Sequence, residues 1–311
     1  VLVEQKKPIE ALSADELIPR DVHGARTDVL EIGRLEALIN PRDRFRPNIP
    51  AGISMGHYKV TAGTLGAVVF DRTTGEPLLL SNNHVFANSN DAEIGDAILQ
   101  PGSTDHGLRP EDTVAQLHRF EQLRFYNDSG SELPGAPPLF PAGSCDIVDV
   151  FVSVGNLLGR LSGSTKRLTS VPASQIQSED PLIYPNQVDA ALARPNNPLL
   201  FQQSIADIGR PNGTKLAQIG MEIRKHGRTT GYTEGTVTLV NATVDVAYGD
   251  SLQARFVGQV IATPMSQGGD SGALIVEKDS LNAVGLLFAG SRRATIFTPI
   301  DTVLDVMDVN L

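Results

Sequence analysis

Gly268-Gly269-Asp270-Ser271-Gly272 opens into the apolar run Ala273-Leu274-Ile275-Val276. A serine in such a turn has the chemistry for acyl transfer. Glycines let the chain turn sharply enough to aim backbone N–H groups at a developing oxyanion. The same residues also make ordinary hairpin turns, since Gly, Asp and Ser favour turns generally.

A hydroxyl attacks only when a base takes its proton. His84 lies in Ser81-Asn82-Asn83-His84-Val85-Phe86-Ala87, directly after the apolar run Leu78-Leu79-Leu80. His106 and His118 are rivals with weaker settings. The base needs a carboxylate to fix its tautomer and stabilise the imidazolium. Asp189 heads the apolar run Ala190-Ala191-Leu192-Ala193, and Asp146 and Asp149 are its rivals. Each of these residues also has a plain structural reading as a turn, loop or strand-edge residue.

Short strands separated by Gly, Pro, Asn and Asp must position these groups. Candidate strands cover 65–70, 78–81, 113–120, 146–154, 188–193, 215–223, 235–246, 252–262, 273–277, 283–288 and 295–298. That density of turns predicts a mostly β fold, a sandwich or paired barrels. Ile300, Val303, Leu304 and Met307 share one helical face and predict a short C-terminal helix. Residues 123–145 and 155–186 read as long inserted loops. Residues 1–50 read separately, as a small β-α-β segment with strands near 1–3 and 26–32 and a helix over 9–18. A linker-like stretch, Asn40 to Pro47, follows, and the main domain is expected over 51–311. The small segment is expected to be regulatory or pro-segment-like.

The chain has 311 residues, 41% hydrophobic and 20% charged, within the ordinary globular range. Its net charge of −10 disfavours nucleic acid as a partner. No apolar run reaches the length of a membrane span, about 18 residues, so no membrane partner is expected. No paired His and Cys spacing suggests a metal, and no cofactor is expected. The one cysteine, Cys145, has no internal disulfide partner, which favours the cytoplasm over secretion. The numbered chain begins with Val1 rather than Met, so a removed leader stays open.

The order His84, Asp189, Ser271 in these settings resembles the trypsin-like peptidases of the chymotrypsin fold. Ile223-Arg224-Lys225-His226-Gly227-Arg228-Thr229-Thr230-Gly231 is similar to a stretch of alpha-lytic protease and the streptogrisins. Ser81-Asn82-Asn83-His84 and Val188-Asp189-Ala190-Ala191 resemble bacterial relatives of the plant narrow-leaf protein. The resemblance runs through short motifs over about residues 60–305.

It implies two β-barrels and a serine endopeptidase working through an acyl-enzyme on a protein or peptide substrate. A homo-oligomer is compatible with it. It further implies an oxyanion hole from the N–H groups of Gly269 and Ser271. Phe288, Ala289 and Gly290 would form the substrate strand and one pocket wall, with Met265, Ser266 and Gln267 on the other side. Arg228 would pair with Asp270 to support the nucleophile turn. The sequence departs from these relatives at Phe288, where a small polar residue is common, and in the long gap between His84 and Asp189. The competing reading is a non-catalytic peptide-binding or scaffold protein on the same fold.

Overall fold

The computed structural model describes residues 1–3, 5–31, 40–60, 62–126, 184–249 and 252–311. Cys145, Asp146, Asp149, the expected strand 146–154 and most of the two expected loops lie outside them. The chain divides into two compact units, Val1–Asn40 and Pro41–Leu311.

In the first unit, strand β1 (Leu2–Val3) pairs in parallel with β4 (Leu30–Glu31). Strands β2 (Asp21–Val22) and β3 (Ala25–Arg26) form a hairpin between them. The helix expected over 9–18 contracts to one 3-10 turn, Ile9–Ala11. Leu12 is already extended, at φ −100° and ψ 137°. Ser13 then begins a separate turn, with its backbone N–H and its hydroxyl both donating to the Glu16 carboxylate. Side-chain bonds of this kind compete with helix continuation.

The second unit starts ten residues earlier than the sequence suggests, at Pro41 rather than 51. The stretch expected as a linker is anchored rather than free. Arg44 donates to Asp112 at 2.7 Å, and the Gln100 amide donates to the Asp43 carbonyl at 2.8 Å.

Two barrels make up the second unit. The first is a curled eight-stranded sheet. It contains β6 (Ser54–His57), β7 (Gly63–Thr64), β8 (Ala67–Asp71), β9 (Pro77–Ser81), β10 (Ala97–Leu99), β11 (Thr113–Phe120), β12 (Ala191–Pro195) and β20 (Val309–Asn310). Their spatial order is β20-β8-β9-β12-β11-β10-β6-β7. Leu65, Val69, Leu78, Leu80 and Ile98 are fully buried in it. Strands β5 (Ile49–Ala51) and β13 (Phe201–Ile205) pair alongside as a short parallel ribbon.

The second barrel is closed, in the order β14-β15-β16-β19-β18-β17. Its strands are β14 (Glu222–Gly227), β15 (Gly231–Tyr248), β16 (Leu252–Ala262), β17 (Leu274–Glu277), β18 (Ala283–Gly290) and β19 (Thr295–Pro299). Ile223, Val237, Val260, Ile275 and Phe297 fill its core. Closure removes exposed strand edges. The expected strand over 215–223 starts only at Glu222, because Gly220 takes φ +87° and Met221 N–H closes a turn onto Gln218. A one-turn helix α1 (Asn83–Phe86) follows β9, and α2 (Ile300–Val306) is the expected C-terminal helix.

Candidate active site

His84 sits in α1, immediately after β9 leaves the first barrel. Asn83 locks that turn. Its amide nitrogen donates to Asn90 Oδ1 at 2.8 Å and to the Glu121 carbonyl at 2.7 Å, and its Oδ1 accepts from Asn90 N–H at 3.0 Å.

Strand pairing then brings the carboxylate to His84. β12 runs antiparallel to β9, with Ala191 opposite Ser81. Two residues before Ala191 therefore lie beside the residues just after Ser81, which puts Asp189 next to α1. The Asn82 amide donates to the Asp189 carbonyl at 2.6 Å and fixes this approach. Asp189 Oδ2 accepts from His84 Nδ1–H at 2.6 Å, and Oδ1 accepts from His84 backbone N–H at 3.3 Å. The Asp189 side chain is fully buried, while that of His84 keeps 22% of its surface exposed. A carboxylate on Nδ1 holds the proton there and leaves Nε2 as the basic nitrogen. His106 and His118 are not brought to Asp189 in this way.

Ser271 comes from the second barrel, in the turn before β17. The carbonyls of this turn are all tied down. Those of Gln267 and Asp270 accept from the N–H groups of Asp270 and Ala273, both at 3.0 Å. The Gly268 carbonyl accepts from the Thr229 hydroxyl at 2.7 Å, and that of Gly269 from the Thr64 hydroxyl at 2.9 Å. The Ser271 carbonyl accepts from Thr64 N–H at 2.8 Å. In a planar trans peptide the N–H points opposite to its carbonyl. Anchoring the Gly268 and Asp270 carbonyls therefore turns the N–H groups of Gly269 and Ser271 the other way, and neither has an acceptor among the described residues.

Glycine is required here on backbone grounds. Gly269 has φ +97° and Gly272 has φ +94°, and a Cβ on either would collide with packed atoms, Thr229 Oγ1 at the first and Thr64 O at the second. The Ser271 hydroxyl donates to the Phe288 carbonyl at 3.3 Å rather than to His84. Such contacts are often loose in an unliganded site and tighten with substrate.

The expected Arg228–Asp270 pair does not form. Arg228 makes two parallel bonds to Asp105 instead, Nε–Oδ2 and Nη2–Oδ1, both 2.6 Å. Asp270 points into the β14–β15 turn and is fully buried. It accepts from Thr229 N–H at 2.8 Å, Thr230 N–H at 3.1 Å, the Thr230 hydroxyl at 2.7 Å and Gln267 N–H at 2.9 Å. Its cation is Lys225, with Nζ 3.4 Å from Oδ2 and no exposed surface on either side chain. Burial lowers the Lys225 ammonium below its ordinary value, against the opposing pull of Asp270. Three of the four donors around Asp270 come from Thr229 and Thr230, directly after Arg228, so the motif acts through its threonines and its lysine rather than its arginine.

A cavity of about 690 Å³ lies beside Ser271. Met265, Ser266, Gln267, Ala289 and Gly290 line it, as does Arg292. Phe288 does not. Its ring turns inward onto Phe256, with centroids 4.7 Å apart, and only its carbonyl meets Ser271. Three neighbours of these residues escaped the sequence reading. Thr64 is fully buried and joins the two barrels at the Ser271 turn. Asp105 takes Arg228. Tyr248 donates to Asp189 Oδ2 at 2.7 Å.

Residues 178–310 match the model of peptidase family S64. Among solved structures, the Nocardiopsis protease is 16% identical with a TM-score of 0.48, covering 85% of this chain and 98% of that one. Protease A of Thermobifida fusca is 14% identical with a TM-score of 0.47, over the same shares of 85% and 98%. An alpha-lytic protease homolog, N4, is 15% identical with a TM-score of 0.47, again over 85% and 98%. The two-barrel fold and the family match over the C-terminal part describe a serine peptidase of chymotrypsin-like architecture.

Proposed function

We propose that the chain is an endopeptidase that hydrolyses a protein or peptide substrate through an acyl-enzyme, with Ser271 as nucleophile. His84 Nε2 takes the Ser271 proton as Oγ bonds to the substrate carbonyl carbon. The electron pair of the broken π bond moves to oxygen, and the N–H groups of Gly269 and Ser271 receive that oxyanion. Asp189 stabilises the imidazolium formed meanwhile. When the intermediate collapses, the C–N bond breaks and His84 returns its proton to the departing amine. Water then attacks the ester by the same route, and Ser271 regains its proton.

The observation that carries this reading is the anchored turn at 267–271. Each carbonyl in it accepts a bond, while the N–H groups of Gly269 and Ser271 have no acceptor among the described residues. Substrate backbone would extend along β18 by strand addition at Ala289 and Gly290, with its side chain in the adjoining cavity.

Fluorophosphonate labelling tests the reading. The wild type should take one label at residue 271, and Ser271→Ala should take none while melting at the same temperature. No labelling of the wild type, together with no cleavage of a denatured protein substrate, would favour the peptide-binding alternative.

A further inference from the structure

Asp189 has a donor that the hydrolytic scheme above does not use. Tyr248 ends β15, opposite Leu252 at the base of the turn into β16. Its hydroxyl donates to Asp189 Oδ2 at 2.7 Å, the same oxygen that accepts His84 Nδ1–H at 2.6 Å. Its ring stands edge-on to the imidazole, with centroids 5.9 Å apart at 74°. The ring also meets Phe125 at 5.2 Å and Phe256 at 6.4 Å.

The fully buried carboxylate thus meets a hydroxyl whose ring is packed among aromatic side chains. A buried charge is costly unless it is hydrogen-bonded. Burial, reinforced by the Asp189 charge, pushes the Tyr248 phenol well above its ordinary value, so the hydroxyl remains a donor. Asp189 belongs to the first barrel, and the hairpin that carries Tyr248 belongs to the second.

We propose that Tyr248 is a positioning residue for the hydrolytic reaction: its hydroxyl holds the Asp189 carboxylate so that Oδ2 stays aligned with His84 Nδ1–H. This rests on the reading of Asp189 as the carboxylate that orients His84. A residue that only packed would act through its ring. Tyr248→Phe keeps the ring and removes one oxygen, so it separates the two roles.

The test compares wild type, Tyr248→Phe and Asp189→Asn by steady-state kinetics and by the proton NMR signal of His84 Nδ1–H. In Tyr248→Phe, kcat should fall about tenfold, the scale of one hydrogen bond to a charged group, with KM changed by less than about twofold. The bridging-proton signal should shift and exchange faster with water, while the melting temperature falls by only a few degrees. Wild-type kcat with an unmoved signal would overturn the proposal, as would a change confined to KM. If Asp189→Asn turned over at the wild-type rate, the reading of Asp189 would fail instead. The signal in Tyr248→Phe would still decide whether the hydroxyl holds the carboxylate.

Discussion

Arg228 and Asp105 form a two-pronged ion pair that joins the β14–β15 turn of the second barrel to the loop after β10 in the first. The pair is nearly buried, with 11% and 5% of the side chains exposed. Burial alone would raise the Asp105 carboxyl, but the Arg228 guanidinium and the Ser54 hydroxyl hold it below its ordinary value. Breaking a buried pair from one side leaves an uncompensated charge. Arg228→Ala is predicted to cost about 3–5 kcal/mol in urea unfolding, and Arg228→Lys to recover only part, because an ammonium cannot make both bonds. Asp105→Ala should be damaging too, and the double variant should lose much less than the sum. Full additivity would mean the pair contributes nothing of its own.

Thr229 offers a sharper test of the nucleophile turn. Its hydroxyl holds the Gly268 carbonyl and thereby aims Gly269 N–H. Thr229→Val keeps the shape and frees that peptide plane. The expected result is a fall in kcat of about tenfold or more, short of the hundredfold to thousandfold typical of deleting an oxyanion donor outright. The urea midpoint should hardly move. Unchanged kcat would show that the plane is fixed by other contacts.

Asp189→Asn should lower kcat by about four orders of magnitude, since an amide favours the wrong His84 tautomer and cannot stabilise the imidazolium. Stopped-flow acylation with an activated ester measures the step directly. An acylation rate close to that of the wild type would remove Asp189 from the reaction.

Acid stability should depend on Asp71, which ties β8 to Arg119 of β11. The Thr74 N–H and the Arg119 guanidinium hold its carboxyl well below the usual carboxylate range. A depressed carboxyl contributes stability that is fully present above its unfolded value, near pH 4, and is lost as pH falls toward the lower folded value. The urea midpoint of the wild type should therefore drop between about pH 4 and pH 2, and Asp71→Asn should flatten that drop. Equal slopes in the two proteins would place the acid sensitivity elsewhere.

Much of the β architecture is legible locally, because strands announce themselves by alternation. β11 spans 113–120 and β16 spans 252–262, as their patterns indicate, and the 300–306 helix follows its apolar stripe. The segment 215–221 alternates similarly, but a left-handed Gly220 breaks the pairing, and alternation does not register a single backbone angle. Site partners are harder to read when they are distant in sequence. Arg228 lies 123 residues from Asp105, and Tyr248 lies 59 residues from Asp189. No local motif encodes those distances. The Arg228–Asp270 expectation fails for a related reason. A motif names the residues near the nucleophile, but the packing of Asp105 decides where the guanidinium goes.

The surroundings of Asp270 restrict how this protein could be controlled. One way to arm such a site is to liberate a chain end by cleavage, whose new ammonium then swings in to neutralise the carboxylate beside the nucleophile. Here that carboxylate already has Lys225 and four hydrogen-bond donors from its own barrel, and it is sealed from solvent. An arriving amino group would find neither a free lone pair nor an opening. A latch built on that particular ion pair is closed to this protein.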